Sequence, residues 1–510
     1  MPTLCRGLEL SGRHRDRAVS DADLRGTSDL IAIPRSRPRI IQASSRRIGP
    51  APRSRAAAMA RSSMSDPIDV PAARVPGYNR NRMIFRTTRN GSIAESNMHL
   101  GRMRGLRMNV VASSPAPAAR AGDPDAALLA TVETLRPLIA EHRSALAVGP
   151  DLPEPVAEAL VEAGLTQLWL PRGLGGPETH PLRVLAAIEA LAELDGSVAW
   201  CAAISSGGAS RFADLIDRDA MRALMPAGKK FAGSGSGQPT GTAVRDGAGW
   251  RINGRWSWAS FCRFSSVSAL MCLEIEGGQP KLDAHGRPSV RGVFMASKDV
   301  EVVGNWNAGG LRSSGSHDVV CTDIWVPDAR TVDGARIMMP HDREPLYMLP
   351  MASAAAIAAA GVPLGLARAS IDALIDLAQT KTPHGGKVPL RLREDVQVAV
   401  ARAETSLGAA RAFARDTVSG LWSEAENGRP VTPAWQAKIR QACWYAGHVG
   451  KQVVTSMYEA AGSSAVLEAL PFARQLRDVY ATCQHMQYQD RMLVPPGRIL
   501  LSLEADAPFI

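Results

Sequence analysis

Hydrophobic periodicity changes twice along this chain, and that double switch limits the fold more than any single motif. From Asp123 apolar residues recur at helical spacing through LLATVETLRPLIAEH, where Asp123 can cap and Pro124 suits the first helical position. A second helix follows Pro153 as EPVAEALVEAGL and stops near Gly164. Past the Gly- and Pro-dense LWLPRGLGGPETHP, helix resumes at Pro181 and continues in short pieces to about Leu224. From Lys229 to Val332 the pattern is strands parted by turns: GWRINGRWSWAS, SVSALMCLEI, VRGVFMAS, VEVVGNW and HDVVCTDIWVP, with DGAG, NG and EGG between them. After Pro340, Pro345 and Pro350, helix returns from about Met351 to Leu501. The class is α+β, in the order helices, β-domain, helical bundle. We divide it at 108–228, 229–335 and 336–510.

Residues 1–107 stand apart. They hold 21 Arg, no Lys and 8 acidic residues, a net +13, which leaves the other 403 residues at −3 of the chain's +10. No sustained period of 3.6 or 2 runs through them, so they cannot bury enough apolar surface to offset the entropy of ordering. Arginines could contact phosphates, but aromatic residues for base stacking are nearly absent, so we expect no nucleic-acid partner. An organellar presequence is also Arg-rich, yet eight acids and this length argue against one. The expectation is a disordered leader, or translated sequence upstream of a start at Met108. Seven scattered cysteines with no CxxC pair argue against a disulfide framework or structural zinc and suit a reducing cytoplasm. The apolar run Met351–Ala367 is Ala/Gly-rich and followed by Arg368, and reads as a buried helix rather than a membrane span.

Three clusters could carry chemistry. FAGSGSGQPTGTA (231–243) is rich in residues that let a flat heterocycle or a phosphate approach the main chain; a polar turn is the plain alternative. In NGRWSWASFC (253–262), strand alternation puts Trp256, Trp258 and Ser260 on one face, as core or as a ligand wall. In LRDVYATCQHMQYQD (476–490), a continuing helix puts Arg477 and Asp478 one to two turns before His485, which by itself reads more readily as a structural histidine than as a catalyst.

Taken in order and spacing, LWLPRGLGG, DGSVAW, QPTGTA, NGRWSWAS, GLRSSGSHDVV, WVPDAR and RQLRDVYATCQH resemble the acyl-CoA dehydrogenase superfamily from about residue 125 to 503. The resemblance implies an N-terminal helical domain, a middle β-barrel or sandwich and a C-terminal four-helix bundle, usually as a homotetramer with a flavin, FAD or FMN, between sheet and bundle. It implies that Ser236, Gln238, Thr242, Trp258 and Ser260 line the flavin, with Ser260 at its N5 edge. Arg312 to Ser316 would add contacts near the ring or phosphates, and the segment around Lys381 and Lys387 corresponds to one that reaches a neighbouring subunit's flavin.

The branch follows from what stands near His485. Acyl-CoA dehydrogenases need a carboxylate to take the α-proton of a thioester, and where most carry a Glu this chain reads CysGlnHisMet (483–486). The sequence looks instead like the flavin-dependent monooxygenases of the same fold, which have a His in this region and use reduced flavin from a separate reductase. The resemblance then implies oxygen transfer to a small molecule, aromatic for instance, through a C4a-hydroperoxyflavin. Ser260 would steady N5, and His485, titrating near neutrality, would take a proton from a phenol or amine. Several such enzymes have a second His after the DGSVAW-like motif, where this chain offers only Ser205 and Ser206. The alternatives are an acyl-CoA dehydrogenase with a displaced base, and an idle flavin-fold protein serving as an assembly partner. No metal site is expected.

Overall fold

The computed structural model describes residues 124–225, 227–338 and 344–504. The expected leader, 1–107, lies outside them. Short helices come first: α1 (Pro124–Thr134), α2 (Arg136–Glu141), α3 (Arg143–Val148), α4 (Glu154–Glu162), α5 (Pro181–Leu194), α6 (Gly196–Ser205) and α7 (Arg218–Leu224). Their starts follow the sequence: Pro181 opens α5, and Asp195 caps α6 by accepting from Ser197 N (2.9 Å) and Val198 N (3.1 Å).

The strands are β1 (Gly233–Asp246), β2 (Gly249–Ala259), β3 (Val267–Glu276), β4 (Gln279–Pro280), β5 (Val290–Ala296), β6 (Glu301–Val302), β7 (His317–Pro327) and β8 (Thr331–Asp333). They form one mixed sheet in the order β6-β7-β2-β1-β3-β5-β8, with β4 beside β3 and β1 parallel to β3. Then come α8 (Gly334–Met338), α9 (Pro345–Met348), α10 (Met351–Thr380), α11 (Glu394–Glu426), α12 (Pro433–Ala461), α13 (Phe472–Thr482) and α14 (Val494–Leu500).

Helix α10 is the axis of the helical part. It is long and apolar enough to cross a membrane, but 83% of its most apolar window is buried inside the protein. Its small residues let it lie close to α5. A Cβ at Gly365 would stand 2.1 Å from Glu189 O, and one at Gly361 would stand 2.9 Å from Leu185 O. On the other side Gly450 of α12 receives Pro363, the proline inside α10. One apolar core therefore runs from α1 through α13, including Leu185, Ile188, Leu364 and Val454. A second core, around Ile252, Trp256, Leu270 and Val319, fills the sheet. The site forms where α6, α13 and the β1–β2–β7 part of the sheet meet.

Candidate functional site

Two breaks in strand pairing make the front of the site. Along β1, Gly233–Ser236 pairs with Val267–Leu270, the register then shifts, and pairing resumes at Gly241. Residues 237–240 fall in that gap and are exposed, Gln238 among them, while Ser236 and Thr242 at its edges are half-buried. Thr242 Oγ1 donates to Asn253 O (3.3 Å). The QPTGT segment is thus an interruption within one long strand, not a loop between two strands. Along β2 the register to β7 shifts between Trp256 and Ala259. Trp256 is fully buried and its Nε1 donates to Met271 O (2.6 Å), whereas Trp258 is left-handed (φ 63°) and 63% exposed. The expected common face of Trp256, Trp258 and Ser260 is corrected accordingly: strict alternation holds only without a bulge, and here the bulge turns Trp258 outward.

Ser260 lies just past the strand and is 4% exposed. Its Oγ accepts from Trp200 Nε1 of α6 (3.0 Å) and stands 2.7 Å from Ser316 Oγ, which is itself 2.7 Å from Ser314 Oγ. Its carbonyl accepts from Ser234 Oγ (2.9 Å). Trp200 is a site residue that the sequence marks only by its place at the end of the DGSVAW motif.

His485 also touches Trp200. The two rings meet edge to face, centroids 5.2 Å apart at 72°. One indole therefore carries Ser260 on its N–H and His485 against its ring. Two sequence expectations about His485 are corrected. It is not helical: α13 ends at Thr482, and His485 is extended (ψ 144°), with Nδ1 accepting from Gln487 N (3.4 Å). Nor does it titrate near neutrality, because burial pushes its pKa down to about 4 and leaves the imidazole neutral at physiological pH. A neutral imidazole can still take up a proton from a ligand.

Nearby carboxylates are already engaged. Asp478 is buried, accepts from Leu311 N (2.7 Å) and lies 3.6 Å from Arg474, which also pairs with Asp195. Burial above all, with Asp195 adding to it against the pull of Arg474, raises the Asp478 pKa to about 6. Asp490 accepts from Trp444 Nε1 (2.9 Å). Together Asp195, Arg474 and Asp478 tie α6, α13 and the turn before β7 into one unit. Gly310 completes the contact, since a Cβ there would stand 2.0 Å from Arg477 O.

Arg312 is partly exposed, and its Nε donates to Val148 O (2.8 Å) and Nη1 to Ala308 O (3.4 Å), which anchors the guanidinium on main-chain carbonyls. Ser205 and Ser206 are also structural. Ser205 Oγ donates to Thr166 O (2.8 Å) and accepts from Gly233 N (2.8 Å), and Ser206 Oγ donates to Leu165 O (3.1 Å). Neither takes the place of a second imidazole. Lys381 Nζ bonds Ser464 Oγ (2.6 Å).

Residues 357–490 match the acyl-CoA dehydrogenase C-terminal domain. Among solved structures, XiaF from Streptomyces sp., in complex with FADH2 and glycerol, superposes with a TM-score of 0.70 at 21% identity, over 76% of this chain and 98% of that one. The protein is acyl-CoA dehydrogenase-like in fold. In sequence it is similar to an indole-3-acetate monooxygenase of Acinetobacter baumannii, 26% identical over 68% of this chain and 87% of that one. It is also similar to HsaA, the oxygenase subunit of a flavin-dependent monooxygenase of Mycobacterium tuberculosis, 25% identical over 70% and 91%. In sequence, then, the chain is similar to proteins named as monooxygenases, on a fold shared with the acyl-CoA dehydrogenases.

Proposed function

We propose that this protein is the oxygenase of a two-component system, using reduced FAD or FMN from a separate flavin reductase, together with O2, to hydroxylate a small aromatic molecule. The observation that carries the reading is the Ser260–Trp200–His485 arrangement, beside which each nearby carboxylate already has a partner. Among the described residues, the carboxylates beside this arrangement, Asp478 and Asp490, are held by other groups, while a neutral imidazole and a buried hydroxyl are in place.

The residues fit a flavin. The unpaired main chain of 237–240 and the flat, outward Trp258 offer a surface for a planar heterocycle, and Ser260 offers a hydroxyl for a ring nitrogen. In this reading Ser236, Gln238, Thr242 and Trp258 hold the cofactor and Ser316 orients Ser260. The bound flavin would supply the oxygen-activating chemistry. The chain's part is to hold N5 at Ser260, keep water away, and move a proton at His485. Relatives named for indole-3-acetate support an aromatic substrate. The further assignment is a cytoplasmic homotetramer with a helical domain at 108–228, a β-domain at 229–335 and a bundle at 336–510.

The test is anaerobic titration with FAD and FMN in both redox states, followed by rapid mixing with O2 and a panel of phenols and indoles. Reduced flavin is expected to bind more tightly, and hydroxylated product to form. Tightly held oxidised FAD that bleaches with an acyl-CoA, without oxygenated product, would instead establish a dehydrogenase.

A further inference from the structure

Ser260 does not stand alone behind the open face. It begins a row of three buried hydroxyls, Ser260, Ser316 and Ser314, with both Oγ–Oγ separations at 2.7 Å, and one donor, Trp200 Nε1, enters the row at Ser260. A hydroxyl gives one proton and accepts two. Because Trp200 can only donate, one acceptor position on Ser260 is taken permanently. What remains depends on the direction in which the row runs.

If Ser260 donates to Ser316 and Ser316 to Ser314, Ser260 has one free acceptor position and can receive an N–H. If the row runs the other way, both acceptor positions are filled and Ser260 has only its proton to offer. Either sense satisfies the same three oxygens with the same two bonds, and rotation of the hydroxyls interconverts them without moving a heavy atom.

We propose that the Ser314–Ser316–Ser260 row is a reversible hydrogen-bond relay, biased by Trp200, that lets Ser260 accept from a protonated flavin N5 and donate to an unprotonated one. This rests on the proposed flavin reading. Ser316 and Ser314 are positioning residues that act through Ser260.

Ser316→Ala tests it. Without Ser316 the Ser260 proton has no acceptor when N5 carries hydrogen, whereas donation to unprotonated N5 needs no help. Reduced-flavin affinity is therefore expected to fall about five- to thirty-fold, the effect of leaving one buried hydroxyl donor without its acceptor. Oxidised-flavin affinity should change less than about three-fold. Ser314→Ala, one position further along the row, should move the ratio of the two affinities in the same direction by less. Both are read by anaerobic titration of flavin fluorescence, independently of turnover. Equal loss for the two redox states in Ser316→Ala, or no change in either, would overturn the relay while leaving the flavin reading standing. Failure of the unmodified protein to bind flavin in either state would overturn both.

Discussion

Behind Ser260, buried hydroxyls and an indole N–H are bonded to one another, and two buried aspartates share the half-buried Arg474; in front of it, residues 237–240 and Trp258 lie open with strand pairing suspended. The contrast separates what the fold prepares from what it leaves for a ligand to complete. The back can be rigid because each of its polar groups gains a partner from a different element, and desolvated groups are costly unless so paired. The front can be sequence-poor, with Gly, Ser, Thr and Pro, because its task is to keep main chain within reach.

Breaking the back should cost the most. Asp478→Ala leaves Arg474 facing Asp195 alone and removes the acceptor of Leu311 N, and a loss of about 1–3 kcal/mol in urea unfolding is expected. A loss below about 1 kcal/mol would show that the clamp is dispensable.

Removing the imidazole should spare the fold and remove chemistry. In His485→Ala, product formed per flavin oxidised is expected to fall about a hundredfold, with reduced-flavin affinity within about three-fold of the parent. Unchanged coupling would take His485 out of the reaction.

Acid sensitivity sharpens the same division. Between pH 6.5 and about 4 the unfolded chain binds a proton that His485 in the folded protein refuses, so this group lowers stability as pH falls. His485→Gln should lessen the loss of stability across that window by about 1–2 kcal/mol, below the full shift because the ring is partly exposed. Asp478 has the opposite sign: its raised pKa lowers stability as pH rises from 3.8 to about 6, a slope that Asp478→Asn should remove. Thermal melts of both variants against the parent across pH 4 to 7 would check the two signs.

The smallest effect belongs to the front. Trp258→Ala removes an exposed ring, so stability should stay within about 0.5 kcal/mol. Flavin affinity should fall about five-fold if the ring stacks on the cofactor. Unaltered affinity would place the flavin elsewhere.

Much of this was legible from residue patterns, and what was missed has local physical causes. The switch from helical to strand periodicity and back located the elements, because caps such as Asp195 and the prolines at the starts of α10 and α12 act within a turn of where they stand. Ser260 and His485 were visible as chemistry-bearing residues, but not their shared contact, which runs through Trp200 between segments 60 and more residues apart. The Trp258 bulge escaped because alternation carries no mark where β7 pairing slips. The early end of α13 escaped because no Gly or Pro signals it. Gln489 folds back instead, its Nε2 donating to Cys483 O (3.0 Å) and Gln484 O (3.1 Å).

The most direct test of the central claim is the fate of molecular oxygen. With a flavin reductase, FAD or FMN and an aromatic substrate panel under isotopically labelled O2, one labelled oxygen atom per product molecule is expected, with labelling coupled to flavin oxidation and suppressed in His485→Ala. Flavin oxidation that yields only hydrogen peroxide across the panel, together with anaerobic reduction of bound FAD by an acyl-CoA, would contradict it.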